Sequence, residues 1–230
     1  MTYNLDDPKT WPAFRPLLIA HDVGRSRDRS TAVVGGNSPY GQRVLGIVEA
    51  EELPQQLFGH ARASALAAVD RRHDRNALIV ADLSYDPTYG EVLFETFGTR
   101  VIGLQISRYG DGMSFERRPV KGGSILVYGI GRSNLIELLQ SEMEAHRVRL
   151  VETPAIRRAF EQLVNLETEL RHDGTVYTCP SGRHDDLGMS CAMLAWAARH
   201  PHQEAWLRNL HATRRPRRPS RQASGWSAFT

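Results

Sequence analysis

The stretch Gly182-Arg183-His184-Asp185-Asp186-Leu187, followed by the apolar run Gly188 to Ala198, decides how the rest of the chain is read. It sets two adjacent carboxylates and an imidazole at the mouth of a helix. The helix, Met189-Ser190-Cys191-Ala192-Met193-Leu194-Ala195-Trp196-Ala197-Ala198, is apolar on almost every side, so the pattern predicts burial. An acid in the first turn gains from the free N–H groups and the dipole there, which accounts for Asp185 as a charged helix start. It does not account for a second acid. Asp186 shares its face with Met189, Ser190 and Met193 at helical spacing and therefore points at packed structure, where a carboxylate needs a cation.

Two upstream runs end in aspartate. Leu17-Leu18-Ile19-Ala20-His21-Asp22 and Ala77-Leu78-Ile79-Val80-Ala81-Asp82 are continuous apolar runs, the pattern of strands covered on both faces. With period two, Asp22 lies on the face of Leu18 and Ala20, and Asp82 on the face of Leu78 and Val80; His21 points the other way and reads as structural. Thr31 to Gly36 and Arg43 to Glu49 complete a β-meander with the first strand. Leu53 to Arg72 reads as a helix with Leu57, Ala61, Ala65, Ala68 and Val69 on its inner face. Thr88 to Phe97 reads as a second, stopped by Gly98. Arg100 to Gln105 is a fifth strand. Ser114–Arg118 and Ser124–Tyr128 read as strands around Lys121-Gly122-Gly123, and Asn134 to His146 is amphipathic. Ile156 to Leu170 reads equally as helix or extended chain, and Thr175 to Thr178 is a short strand. The predicted fold class is α/β: a mixed sheet, antiparallel meander plus parallel strands, flanked by helices.

Composition bounds the rest. The chain of 230 residues suits one domain with a tail. Residues 212 to 230 hold five arginines and no acid; taking these from the formal net charge of +3 leaves −2 for the remainder, so the basic character belongs to the tail. That segment, rich in arginine, proline and serine without periodicity, is expected to be disordered, and residues 1 to 15 to form an arm packed by its aromatics. No apolar run approaches the roughly 18 residues of a membrane span, and no secretory signal opens the chain. Cys179 and Cys191 have no paired spacing, which argues against a disulfide scaffold or thiolate zinc site and fits a reducing compartment. Gly129-Ile130-Gly131-Arg132 lacks the ending of a P-loop.

If the strands ending at Asp22 and Asp82 are parallel neighbours, their carboxylates emerge side by side at the end of the sheet where ligands collect, and the closing helix brings Asp186 against them. Clustered carboxylates stay ionised together only around cations, and hard oxygen donors favour Mg²⁺ or Mn²⁺. Two such ions can activate a water and stabilise the leaving oxygen of a phosphodiester.

Asp22-Val23-Gly24 with Asp28 six positions on, Asp82 at a strand end, and His184-Asp185-Asp186-Leu187 opening the last helix together resemble the nuclease domain of the large terminase subunit of tailed bacteriophages, an RNase H-like fold. Leu163-Val164-Asn165-Leu166-Glu167 to Gly174 and Val120-Lys121-Gly122 add to the likeness, which covers roughly residues 16 to 200. The resemblance implies a nuclease domain over residues 16–211 in which Asp22, Asp82 and Asp186 hold two Mg²⁺ or Mn²⁺ ions, Asp22 bridging both. Asp185 is a further ligand candidate ranked below Asp186. Asp28 reads first as a turn-stabilising acid and second as a metal contact; His184 reads equally as a helix-start neighbour and as a group orienting a carboxylate. Lys121, Arg25 and Arg27 are candidate phosphate contacts, each of them first a solvated loop charge. The implied substrate is double-stranded DNA, with a separate terminase ATPase, a small terminase subunit or a portal as further partners, in the cytoplasm of a bacterial host carrying a phage or prophage. Terminase large subunits carry an ATPase motor before the nuclease, and none is found here. Resolvase-type relatives place another acid three residues after the position of Asp186; Met189 stands there, which favours the terminase branch. Two competing readings are an inactive remnant serving as a DNA- or protein-interaction module, and an ATPase or sugar-kinase relative. The latter needs glycine-rich phosphate loops that the sequence lacks.

Overall fold

The computed structural model describes residues 7–11, 16–24, 29–38, 43–74, 77–108, 113–172, 174–203 and 205–206. Ten strands and five α-helices follow in the order β1 (Leu17–Asp22), β2 (Thr31–Asn37), β3 (Leu45–Glu52), α1 (Gly59–Arg72), β4 (Leu78–Asp82), α2 (Tyr89–Phe97), β5 (Val101–Ser107), β6 (Ser114–Val120), β7 (Gly123–Gly131), α3 (Arg132–Glu144), β8 (Val148–Leu150), α4 (Pro154–Val164), β9 (Glu167–Arg171), β10 (Gly174–Thr178) and α5 (Asp186–Arg199). Eight strands form one sheet in the order β6-β7-β5-β4-β1-β2-β3-β8, while β9 and β10 make a separate hairpin.

β1, β2 and β3 are the antiparallel meander; β4, β5 and β7 run parallel to β1 on its other side. β1 and β4 are direct neighbours, with His21 opposite Ala81, so the two strands finish together on Asp22 and Asp82. Period two then sorts the apolar residues into two cores. Leu18, Ala20, Leu78, Val80, Ile102 and Leu104 pack beneath α3, α4 and α5; Ile19, Ile79, Ala81, Val101, Ile125 and Val127 pack beneath α1 and α2. Asp22 and Asp82 occur on the α5 side, in phase with the first set, as their spacing requires.

α5 is buried along almost its whole length, as its composition predicts. Gly98 caps α2 with φ of 63°, a left-handed conformation that costs glycine little. Trp11 is buried, while Tyr3 and Phe14 of the expected arm lie outside the described residues.

Three expectations need correction. α1 starts at Gly59 rather than Leu53, because Leu53 still extends β3: its N–H donates to the Ser30 carbonyl at 2.7 Å. The buried face of α1 is Arg62, Ala63, Leu66, Val69 and Asp70, so of the predicted stripe Val69 is buried and Ala65 packs partly buried against the core. Its charged members are satisfied locally: Arg62 donates to the carbonyls of Leu57 and Gly24, and Asp70 accepts from Arg100 and from the Ala77 N–H. Ile156 to Leu170 is neither all helix nor all extended. α4, capped by the Thr153 side chain with Pro154 at its first position, stops at Val164, and β9 follows. β8 was not foreseen; three residues carry too little pattern.

Candidate active site

Asp22 and Asp82 leave the sheet side by side, and the first turn of α5 is held against them by a small buried hydrogen-bond network. Ser190, fully buried on α5, accepts from the Asp22 N–H at 3.2 Å and shares a 2.7 Å hydrogen bond with the Thr31 hydroxyl on β2. The same Thr31 hydroxyl donates to the Asp186 carbonyl at 3.1 Å. Strand end and helix start are thereby fixed to one another through two hydroxyl side chains.

The result is a cavity of about 360 Å³ whose lining includes all four acids, Asp22, Asp82, Asp185 and Asp186, together with Arg108 and Arg132. Burial first, then the charges of Asp82, Asp186 and Asp185, push the Asp22 carboxyl well above the usual carboxylate range; Arg132 pulls it partly back. Asp82, buried, is also raised, with two hydrogen bonds from Ser84 and the charge of Arg132 acting against burial. Its Oδ1 accepts from the Ser84 N–H at 2.8 Å and from the Ser84 hydroxyl. Ser84 is itself tied to β5, accepting from the Ile106 N–H at 2.7 Å.

Asp185 occupies the N-cap position of α5 but its side chain caps nothing. It accepts instead from Nη2 of Arg132, whose Nε donates to the Tyr177 carbonyl at 3.1 Å. His184 lies 4.0 Å from an Asp186 carboxylate oxygen and is mostly exposed.

The predicted acids are therefore brought together in one cavity. Among the described residues, however, no three His, Cys, Asp or Glu side chains are closed around a single point as metal ligands would be. Asp82 is turned to Ser84, and Asp185 to Arg132. Asp185 is better described as the counter-ion of an arginine than as a ligand. Lys121 is not brought to the site: it sits in the β6–β7 turn, at the end of the sheet opposite Asp22, where its N–H donates to Glu91. Arg25, Arg27 and Asp28 fall outside the described residues. His21 is structural, as its phase predicts. It is fully buried, its Nδ1 is 2.8 Å from the Thr31 carbonyl, and burial lowers its pKa to about 4. Ser84, Arg108 and Arg132 were missed. Each follows the end of a strand of the parallel set (β4, β5 and β7), a positional signal available only once strand neighbours are known.

The donor set itself suits a hard divalent cation. It consists of oxygens, and burial together with the surplus of negative charge lifts the Asp22 carboxyl, a cost that a cation among the acids would offset.

No protein-family model matches the chain, and no curated protein does. Solved structures do. The large terminase nuclease from thermophilic phage G20c superposes with a TM-score of 0.54 at 21% identity, covering 80% of this chain and 84% of that one. The same nuclease with bound magnesium gives 0.54 and 21%, over 80% and 83%. The g2p (large terminase) nuclease domain from bacteriophage SPP1 with bound Mn gives 0.50 and 13%, over 85% and 93%. The likeness establishes the fold: an RNase H-like mixed sheet flanked by helices, shared with terminase nuclease domains.

Proposed function

We propose that this chain is a divalent-metal-dependent endonuclease that hydrolyses phosphodiester bonds of double-stranded DNA, of the kind used in phage DNA packaging. Residues 16–211 are read as the nuclease unit and 212–230 as a basic tail. The observation that carries the proposal is the meeting of Asp22, Asp82 and Asp186, from two adjacent parallel strands and a buried helix, in one cavity where burial and then mutual repulsion lift the Asp22 carboxyl. The bound magnesium and manganese in the two terminase nucleases fit the same donor chemistry.

Asp22, Asp82 and Asp186 would hold Mg²⁺ or Mn²⁺, two ions on this reading. The metal would supply charge neutralisation at the phosphate and activation of the attacking water. Asp22 is central because Asp82, Asp185 and Asp186 all act on its charge. Ser84 sets the orientation of Asp82, and the Ser190–Thr31 pair sets Asp186. Both hydrogen bonds from Ser84 fall on Oδ1 of Asp82, so its other oxygen would be the one offered to an ion.

The test is cleavage of supercoiled plasmid by the full chain with Mn²⁺ or Mg²⁺. The wild type is expected to nick and cut it, and Asp22→Asn and Asp82→Asn to lose roughly a hundredfold or more in rate. Cutting at the wild-type rate by either variant would remove the assignment. Absence of Mn²⁺ binding by calorimetry at millimolar metal would favour a non-catalytic interaction module.

A further inference from the structure

We propose that the cavity has a basic half as well as an acidic one, and that Arg132, seconded by Arg108, is a phosphate-binding subsite for the backbone of the cleaved DNA strand. This rests on the nuclease reading of the acids and adds to it where the substrate lies.

Across four neighbouring parallel strands, β1, β4, β5 and β7, the chain presents at the same edge of the sheet Asp22, Asp82, Arg108 and Arg132 in turn. β5 and β7 are in register, with Ser107 opposite Gly131, so the two arginines leave the sheet as neighbours just as the two aspartates do. Both arginines line the same cavity as the acids. One edge of one sheet is thus divided into two acids and two arginines.

Arg132 is fixed in place. Nη2 is bound to Asp185 and Nε to the Tyr177 carbonyl, which ties the start of α3 to the β9–β10 hairpin and to the residue before Asp186. Adjacent strands are about 5 Å apart, so β7 ends roughly 10 Å from β4, and the contact with Asp185 brings the Arg132 guanidinium to the mouth of α5. Only two edges of its guanidinium are used; Nη1 has no protein partner among the described residues. A planar cation held on two sides, at the wall of the cavity that the acids line, matches the non-bridging oxygens of a phosphodiester. Asp185 then acts as a positioning residue: it aims Arg132 and leaves metal ligation to its neighbours. Arg108 is exposed at the rim, next along the path a strand would take from the acids.

The experiment measures two quantities on the full chain: duplex DNA binding by fluorescence anisotropy, in an Asp82→Asn background that blocks cutting, and Mn²⁺ binding by calorimetry with the three acids intact. Adding Arg132→Gln is expected to weaken duplex binding roughly tenfold, the loss of one charge-assisted contact, and to reduce the salt slope by about one. Mn²⁺ affinity should not fall, because losing a positive charge beside Asp22 and Asp82 leaves the acids more negative. Unchanged duplex affinity and slope would overturn the proposal, as would a loss of Mn²⁺ binding as large as that of Asp22→Asn, since Arg132 would then serve only the acids. Should Arg132→Gln fail to fold, the exposed Arg108→Ala decides instead: weaker binding with a shallower slope supports the subsite, and unchanged binding overturns it. A wild-type chain that binds duplex but neither takes up Mn²⁺ nor cuts would sink the nuclease reading and leave the basic half standing.

Discussion

Asp22 carries a conflict between function and stability that a single substitution exposes. Its pKa is raised in the fold, so the folded state loses stability as pH rises from the unfolded value of 3.8 toward the folded one. Asn has the same shape and no charge. Asp22→Asn is therefore expected to melt higher than wild type in metal-free buffer at pH 7–8, by about 2–4 °C for each kcal/mol of burial cost and repulsion removed, and, on the proposed nuclease reading, to lose cutting. Excess Mn²⁺ should narrow the gap, because a ligand bound only by the folded wild type stabilises it. Thermal melts with and without Mn²⁺ check both halves; an Asp22→Asn protein that melts below wild type in chelator would contradict the electrostatic account. These acids were legible in the sequence because a carboxylate that closes an apolar run is costly to bury unless a cation or a donor meets it. Ser84 and Arg132 were not: a serine two residues past a strand and an arginine opening a helix acquire meaning only when β5 is known to lie beside β4 and β7 beside β5.

Among the elements, α5 determines whether the acids meet. Its composition announced burial, and its opening announced charge, but nothing in its pattern said what would hold it in register with β1. The answer is Ser190, which occupies a position in the apolar run where a side chain of its size and no polarity would pack as well. Ser190→Ala leaves the Asp22 N–H without its acceptor and the Thr31 hydroxyl with one partner fewer, in a fully buried place. We expect a cost of about 1–3 kcal/mol in stability. We also expect a fall of roughly tenfold in cleavage rate from displacement of Asp186, with DNA binding unchanged. Denaturant melts and plasmid nicking read the two effects separately, and a stable variant cutting at full rate would show that the helix is positioned by apolar packing alone. Where the sequence misled, at α1 and at the α4–β9 boundary, the cause is of the same kind. Partners distant in the chain, Ser30 for Leu53 and Arg100 for Asp70, settle what the local pattern leaves open.

At the scale of the whole molecule, the end of α5 remote from the acids is fastened by one carboxylate. Glu142, on α3 and nearly inaccessible, receives Nη2 of Arg147 at 2.7 Å and Nη2 of Arg199, the last residue of α5, at 2.6 Å. Arg199 also donates to the Arg43 carbonyl at 2.7 Å and to Asn37 Oδ1 at 2.5 Å, so α3, α5 and the β2–β3 connection share one knot. Burial alone would lift the Glu142 carboxyl; the hydrogen bonds and charges of Arg147 and Arg199 outweigh it and hold the pKa at about 2. A carboxylate whose pKa is lowered in the fold contributes stability above its unfolded value of 4.5 and loses it as pH falls toward about 2. Glu142→Gln should therefore be less stable than wild type by about 2 kcal/mol at pH 7. The difference should hold down to about pH 4.5 and shrink below it. Urea unfolding at a series of pH values measures that difference directly. A gap that stayed constant from pH 7 down to pH 3 would mean that Glu142 contributes through packing and not through charge, and the knot would then have to be assigned to the hydrogen bonds of Arg199 with Asn37 and Arg43.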